Sequence, residues 1–131
     1  MKKTCIRIGK AAGSSLPLSQ AVKVENIGGL VFTSGIMAMD PKNPDKLYLD
    51  GDIKGQTEQA LLQLQEILEA AGTSFDNVIK VNIFLTNIRR DYDGMNEVYA
   101  KFFTDAKPAR RTVEAAFTVD TLIEIDMVAV V

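Results

Sequence analysis

Val78-Ile79-Lys80-Val81-Asn82-Ile83-Phe84-Leu85-Thr86 is the stretch on which the fold turns. Its β-branched and aromatic residues predict a strand. Uninterrupted alternation sets Ile79, Val81, Ile83 and Leu85 on one face and Val78, Lys80, Asn82 and Phe84 on the other. Just before it, Ala60, Leu61, Leu64, Ile67, Leu68 and Ala71 recur at three- and four-residue steps. That spacing predicts a helix over 56–71, closed by Gly72 as a C-terminal cap. Just after it, Tyr92, Met95, Tyr99, Phe102 and Phe103 predict a second helix over 92–103.

Working outward, Ile6 and Ile8 flank Arg7 in a short alternating strand, and residues 21–27 form a second. Gly28-Gly29 turns the chain into a third strand over 30–34, apolar on both faces. Residues 11–17 read as a Gly/Ser-rich loop, and 40–45, with two prolines, as turn chemistry. Beyond Pro108, strands are expected near 110–117 and 122–130. The order is β-β-β-α-β-α-β-β, an α+β domain with two helices on one mixed sheet. Two helices cover only one face of such a sheet. The strands at Leu30 and Val78 nevertheless carry large apolar residues on both faces, so the open face calls for a partner, most simply another copy of this chain.

With 131 residues, 47% of them hydrophobic, the chain has material for one core and is read as a single domain over 1–131. The formal charge is -2, and Lys2-Lys3, Arg89-Arg90 and Arg110-Arg111 are isolated basic pairs, so an obligate nucleic-acid ligand is disfavoured. There is no histidine, which removes His-based triads, His–Cys dyads and His-ligated metals from consideration. The one cysteine, Cys5, allows no intrachain disulfide or cysteine zinc site and reads as a small strand residue. Met1-Lys2-Lys3 is basic but no apolar stretch of signal-peptide length follows, and every apolar run is too short for a membrane span. The expectation is a cytoplasmic chain whose chemistry rests on Asp, Glu, Arg, Lys, Tyr, Ser, Thr or the backbone.

Two places could carry it. Arg110 opens a strand behind Pro108, with Thr112 and Glu114 on its face and Arg111 and Val113 on the other. A strand-rooted arginine can grip a planar carboxylate through two parallel charge-assisted bonds. The same spacing also suits a solvated arginine paired with Glu114 or with nothing, and spacing alone favours that plainer reading. In Leu122-Ile123-Glu124-Ile125-Asp126-Met127-Val128, the acids lie on one face and Ile123, Ile125 and Met127 on the other. A carboxylate among apolar neighbours can act as a general base toward water, but simple in–out alternation explains the pattern as well. Two acids two residues apart, without histidine or a third acid, are a weak metal signal.

Taken in order, several segments resemble the RidA/YjgF (Rid) family along nearly the whole chain. They are Leu18-Ser19-Gln20-Ala21-Val22, Leu30-Val31-Phe32-Thr33-Ser34-Gly35, Gln56-Thr57 with Ala60-Leu61, and Leu68-Glu69-Ala70-Ala71-Gly72. The series continues with Val78-Ile79-Lys80, Phe84-Leu85-Thr86, Asn96-Glu97-Val98-Tyr99, Pro108-Ala109-Arg110 and Ile123-Glu124-Ile125. The resemblance implies a chorismate-mutase-like fold and a homotrimer with active sites in the subunit clefts. It implies hydrolysis of 2-aminoacrylate-type enamines and their imine tautomers to 2-keto acids and ammonia, without metal or cofactor.

Carried over by residue, Arg110 would hold the substrate carboxylate and Glu124 would activate water. Gly35 and the backbone of Thr112 would line the pocket, and Asn96 would reach it across the interface. Leu18 stands where the family commonly has a tyrosine, Ile36 where glutamine is common, Arg111 where a small residue is usual, and Thr112 where cysteine is frequent. The lost phenol at Leu18 puts rate and substrate range in question. It also supports an alternative, a trimer that senses 2-keto acids through Arg110 without turnover. A third reading, an endoribonuclease or translation inhibitor, is opposed by the acidic balance and the absence of histidine.

Overall fold

The computed structural model describes residues 1–9, 15–48, 52–105 and 107–131. The elements are β1 (Lys2–Ile6), β2 (Ala21–Glu25), β3 (Leu30–Phe32), β4 (Met39–Asp40), β5 (Asn43–Leu47), α1 (Ile53–Ala70), β6 (Val78–Leu85), α2 (Ile88–Phe102), β7 (Ala109–Glu114) and β8 (Ile123–Val130). The α+β architecture is as expected, with two additions. The stretch read as a plain turn folds into the small β4–β5 hairpin, which the prolines concealed, and a single 3-10 turn, Phe75–Asn77, precedes β6. Of the loop expected over 11–17, residues 11–14 lie outside the described residues, and no helix or strand forms over 15–17.

The main sheet is mixed, in the order β3-β8-β6-β7, with only the β6–β7 pair parallel. A parallel pair needs a crossover, and α2 supplies it. The expected single sheet is therefore divided, because β1 and β2 form their own antiparallel ladder. That ladder joins the edge of β7 through a bridge between Ser19 and Ala109. Lys3 fastens it further, its Nζ donating to the carbonyls of Asp76 and Val78 at 2.8 Å each.

Local chemistry sets the helix ends. Asp52 caps α1 by accepting from the Gly55 N–H at 2.8 Å, a turn earlier than the apolar periodicity indicated. At the other end Gly72 adopts φ +80°, a conformation costly for other residues, and the Thr73 N–H returns to the Leu68 carbonyl. Asn87 caps α2 through the Arg90 N–H at 3.1 Å. Ala60, Leu61, Leu64 and Leu68 of α1 and Met95, Val98 and Tyr99 of α2 pack on Val81, Ile83 and Leu85 of β6 and Ile123, Ile125, Met127 and Ala129 of β8.

One expectation for β6 fails. The register runs from Val78 opposite Ala129 directly to Lys80 opposite Val128, so Ile79 is the extra residue of a β-bulge. The bulge turns Val78 into the core, fully buried, and leaves Ile79 only half-buried. No helix of the described residues is long and apolar enough to cross a membrane.

Candidate active site

Arg110 stands opposite Val81 in the parallel ladder and Thr112 opposite Ile83, so both side chains project to the helix-covered face. Arg111, opposite Asn82, points the other way and is exposed. The crossover brings α2 over this edge, where Tyr92, Asn96 and Tyr99 fall at i, i+4 and i+7 on one stripe. Arg110 Nη1 donates to Asn96 Oδ1 at 2.6 Å and Nη2 to the Tyr92 hydroxyl at 3.3 Å. The guanidinium carbon lies 4.9 Å from the centre of the Tyr99 ring and 5.9 Å from that of Tyr92, within cation–π range.

This is a desolvated cation without a counter-ion among the described residues. Burial holds the Arg110 pKa below its ordinary value, and the two tyrosines offset that only in part. The same burial pushes the Tyr99 phenol well above its usual range. No carboxylate of the described residues pairs with Arg110. Glu114, the partner expected in the plainer reading, instead accepts the Ile88 N–H at the start of α2. Arg110 Nε, Thr112 Oγ1 and the Tyr99 hydroxyl are buried with no hydrogen-bond partner among the described residues. Leaving such groups unsatisfied is costly, and their gathering at one place marks it as functional ground.

The second candidate region is on the other face. Glu124 stands opposite Phe84 and Asp126 opposite Asn82, both on the side away from the helices. Asp126 is engaged, accepting from Asn82 Nδ2 at 2.8 Å. Glu124 is half-buried and forms no ion pair or side-chain hydrogen bond among the described residues. Two backbone bonds between Ile36 and Ile125, 2.8 and 2.9 Å, lay residues 35 and 36 against it. A Cβ at Gly35 would overlap the Glu124 carboxylate, so glycine there lets that side chain keep its present position.

The two regions do not meet within one chain. Arg110 and Glu124 leave opposite faces of the sheet, and β6 separates their strands, about 10 Å at ordinary strand spacing. Asn96 was expected to reach the pocket from across an interface; in the structure it binds Arg110 of its own chain, because the α2 crossover lies over β7. Leu18 belongs to the Arg110 side: its neighbour Ser19 donates its N–H to the Pro108 carbonyl at 3.0 Å, at the entry to β7. Tyr92 and Tyr99 were legible only as members of an apolar stripe. Their spacing with Asn96 was the available signal, and it gains meaning once α2 is known to cross over Arg110. A groove of about 670 Å³ between α1 and the β4–β5 hairpin is lined by Met39, Asp40, Gln59, Gln63 and Glu66 and contains neither residue.

An arginine at a sheet edge with no carboxylate partner among the described residues is chemically able to take a small anion as its partner. The comparisons define the family. A family model described as Endoribonuclease L-PSP matches residues 9–131. A RutC family protein of Pyrococcus horikoshii is 45% identical over 114 residues, 86% of each chain. A human protein named 2-iminobutanoate/2-iminopropanoate deaminase is 36% identical, covering 95% of this chain and 88% of its own. The crystal structure of a Rid-family protein from Yersinia pestis superposes with a TM-score of 0.70 at 34% identity, over 99% of this chain and all of that one. The chain belongs to the RidA/YjgF (Rid) family, which includes imine deaminases.

Proposed function

We propose that this chain is an imine and enamine deaminase. It would hydrolyse 2-aminoacrylate-type intermediates to 2-keto acids and ammonia, in a homotrimer that joins the Arg110 side of one copy to the Glu124 side of the next. The observation that carries the reading is the buried Arg110 guanidinium with no carboxylate partner among the described residues. A substrate carboxylate supplies that partner through the charge-assisted bonds arginine makes best. The split between faces supports a site built from two copies, and the resemblance sets their number at three.

In this mechanism Arg110 holds the carboxylate of the imine tautomer while Asn96 fixes the guanidinium. The imine carbon is already electrophilic. Glu124 takes a proton from a water molecule whose oxygen bonds to that carbon, giving a carbinolamine. The imine nitrogen receives that proton as the carbinolamine forms. Glu124 then takes the carbinolamine hydroxyl proton and passes it to the amine, so the C–N bond breaks as the C=O bond forms and ammonia leaves. Gly35 leaves room for Glu124, and the backbone at Thr112 lines the pocket. The sequence requires no metal or cofactor for these steps, nor nucleic acid or membrane as partner.

One observation favours a second reading. The Arg110 side is complete in a single chain, so carboxylate binding does not itself require Glu124, and a non-catalytic 2-keto acid sensor would look the same there. An RNA-cleaving role has no comparable support in a chain of charge -2 without histidine.

A coupled assay separates the readings. A serine/threonine dehydratase generates the enamine, and keto-acid release is followed with and without this protein. Acceleration is expected, and its loss in Arg110→Ala would establish the clamp. No acceleration from an assembled protein that still binds 2-oxobutanoate would leave the sensor.

A further inference from the structure

We infer that the Tyr92 hydroxyl is a ligand-contacting donor that shares the bound carboxylate with Arg110. This inference rests on the reading of Arg110 as a carboxylate clamp.

The two bonds that restrain the guanidinium are unequal. Asn96 Oδ1 holds Nη1 at 2.6 Å, whereas Tyr92 meets Nη2 at 3.3 Å, beyond the usual N–H···O range. Asn96 is therefore the fixed restraint and Tyr92 the loose one. A carboxamide oxygen can only accept, but a phenol both accepts and donates. While the Tyr92 oxygen accepts from Nη2, its own proton has no acceptor among the described residues. The two tyrosines also differ in access. Tyr99 is fully buried under the guanidinium with its hydroxyl unpartnered among the described residues, while Tyr92 is only partly buried.

Each terminal nitrogen of Arg110 carries two N–H groups and uses one here, leaving one on each for a ligand. A carboxylate oxygen bonded to Nη2 can lie within one hydrogen-bond length of the Tyr92 oxygen. The anion would then receive two N–H donors and one O–H donor. Because the carboxylate does not change during imine hydrolysis, a contact to it is as strong in the ground state as in the transition state. Its loss falls on KM rather than on kcat.

Calorimetric titration with 2-oxobutanoate, alongside the coupled assay, tests this with Tyr92→Phe and Arg110→Ala. Phenylalanine keeps the ring over Arg110, so an unchanged melting temperature and oligomeric state serve as the control for fold. Tyr92→Phe is expected to bind 2-oxobutanoate about tenfold more weakly and to raise KM by a similar factor. Wild-type affinity in Tyr92→Phe, with binding lost in Arg110→Ala, overturns the role of Tyr92 and leaves the clamp standing. A fall confined to kcat also overturns it, by placing Tyr92 in the chemical step. If the wild-type protein does not bind 2-oxobutanoate, the clamp fails and this inference falls with it.

Discussion

The two faces of the main sheet are finished to different degrees. On the helix side, Val81, Ile83, Leu85, Ile123, Ile125 and Ala129 are fully buried under α1 and α2, and that packing needs nothing from outside the chain. On the other side, Phe32 is 70% exposed and Leu30 48%, beside half-buried Phe84 and Val128. Arg110 belongs to the finished face and Glu124 to the unfinished one. In our proposal one chain thus contains a binding half on the covered face and a catalytic half on the face that awaits a neighbour. Anion recognition, in the same proposal, is a property of the protomer and chemistry a property of the assembly.

The sharpest way to break this contrast is to mutate each half. Arg110→Ala removes two charge-assisted bonds and should lower kcat/KM by about 10³-fold or more and abolish 2-oxobutanoate binding. Glu124→Gln should lower kcat by about 10²–10⁴-fold yet bind 2-oxobutanoate like the wild type. Equal turnover in Glu124→Gln and wild type would remove the base assignment. Next, the two inactive variants can be unfolded together and reassembled. If each site draws its arginine and glutamate from different copies, an equal mixture regains about one quarter of the wild-type sites. Activity that stays at the level of the separate variants would mean both halves act within one chain.

Gly35→Ala should act on the Glu124 half alone. The added methyl displaces the carboxylate, so turnover is expected to fall about tenfold or more while calorimetric affinity for 2-oxobutanoate holds. A loss of affinity equal to the loss of turnover would instead join the two halves.

Stability separates the faces in the same manner. Leu64→Ala opens a cavity in the completed core and should cost about 2–5 kcal/mol in denaturant titration. Phe32→Asp adds charge to the open face, and sedimentation should then show a monomer, without a core loss of that size. The smallest effect belongs to Tyr99→Phe. Its hydroxyl is buried without a partner among the described residues, so removing it should leave stability unchanged or raise it by about 1 kcal/mol or less. Destabilisation beyond that range would reveal a partner for the phenol.

Much of this was legible in the chain because periodicity and end signals are local. The helix stripe around Leu61, Leu64 and Leu68 and the alternation at Ile123, Ile125 and Met127 report burial directly. The β6 bulge was not legible, since Val78 and Ile79 are both apolar and β-branched, and either fits the core. Register with β8 chose Val78. The β4–β5 hairpin was obscured because Pro44 and its neighbours carry turn chemistry while the pairing of Met39 with Leu47 does not show in local pattern.

The sequence by itself determined the α+β class, the family, the exclusion of histidine chemistry and the identity of Arg110 and Glu124 as the residues to examine. These follow from composition, local period and the order of motifs. Only the tertiary structure decided how those residues are disposed. Parallel pairing of β7 with β6 sends Arg110 under α2 to Asn96, Tyr92 and Tyr99, while antiparallel pairing of β8 sends Glu124 to the opposite face beside Gly35. A strand's alternation says which residues share a side. Which side faces the helices is set by contacts between residues far apart in the chain, and that choice divided the candidate site in two.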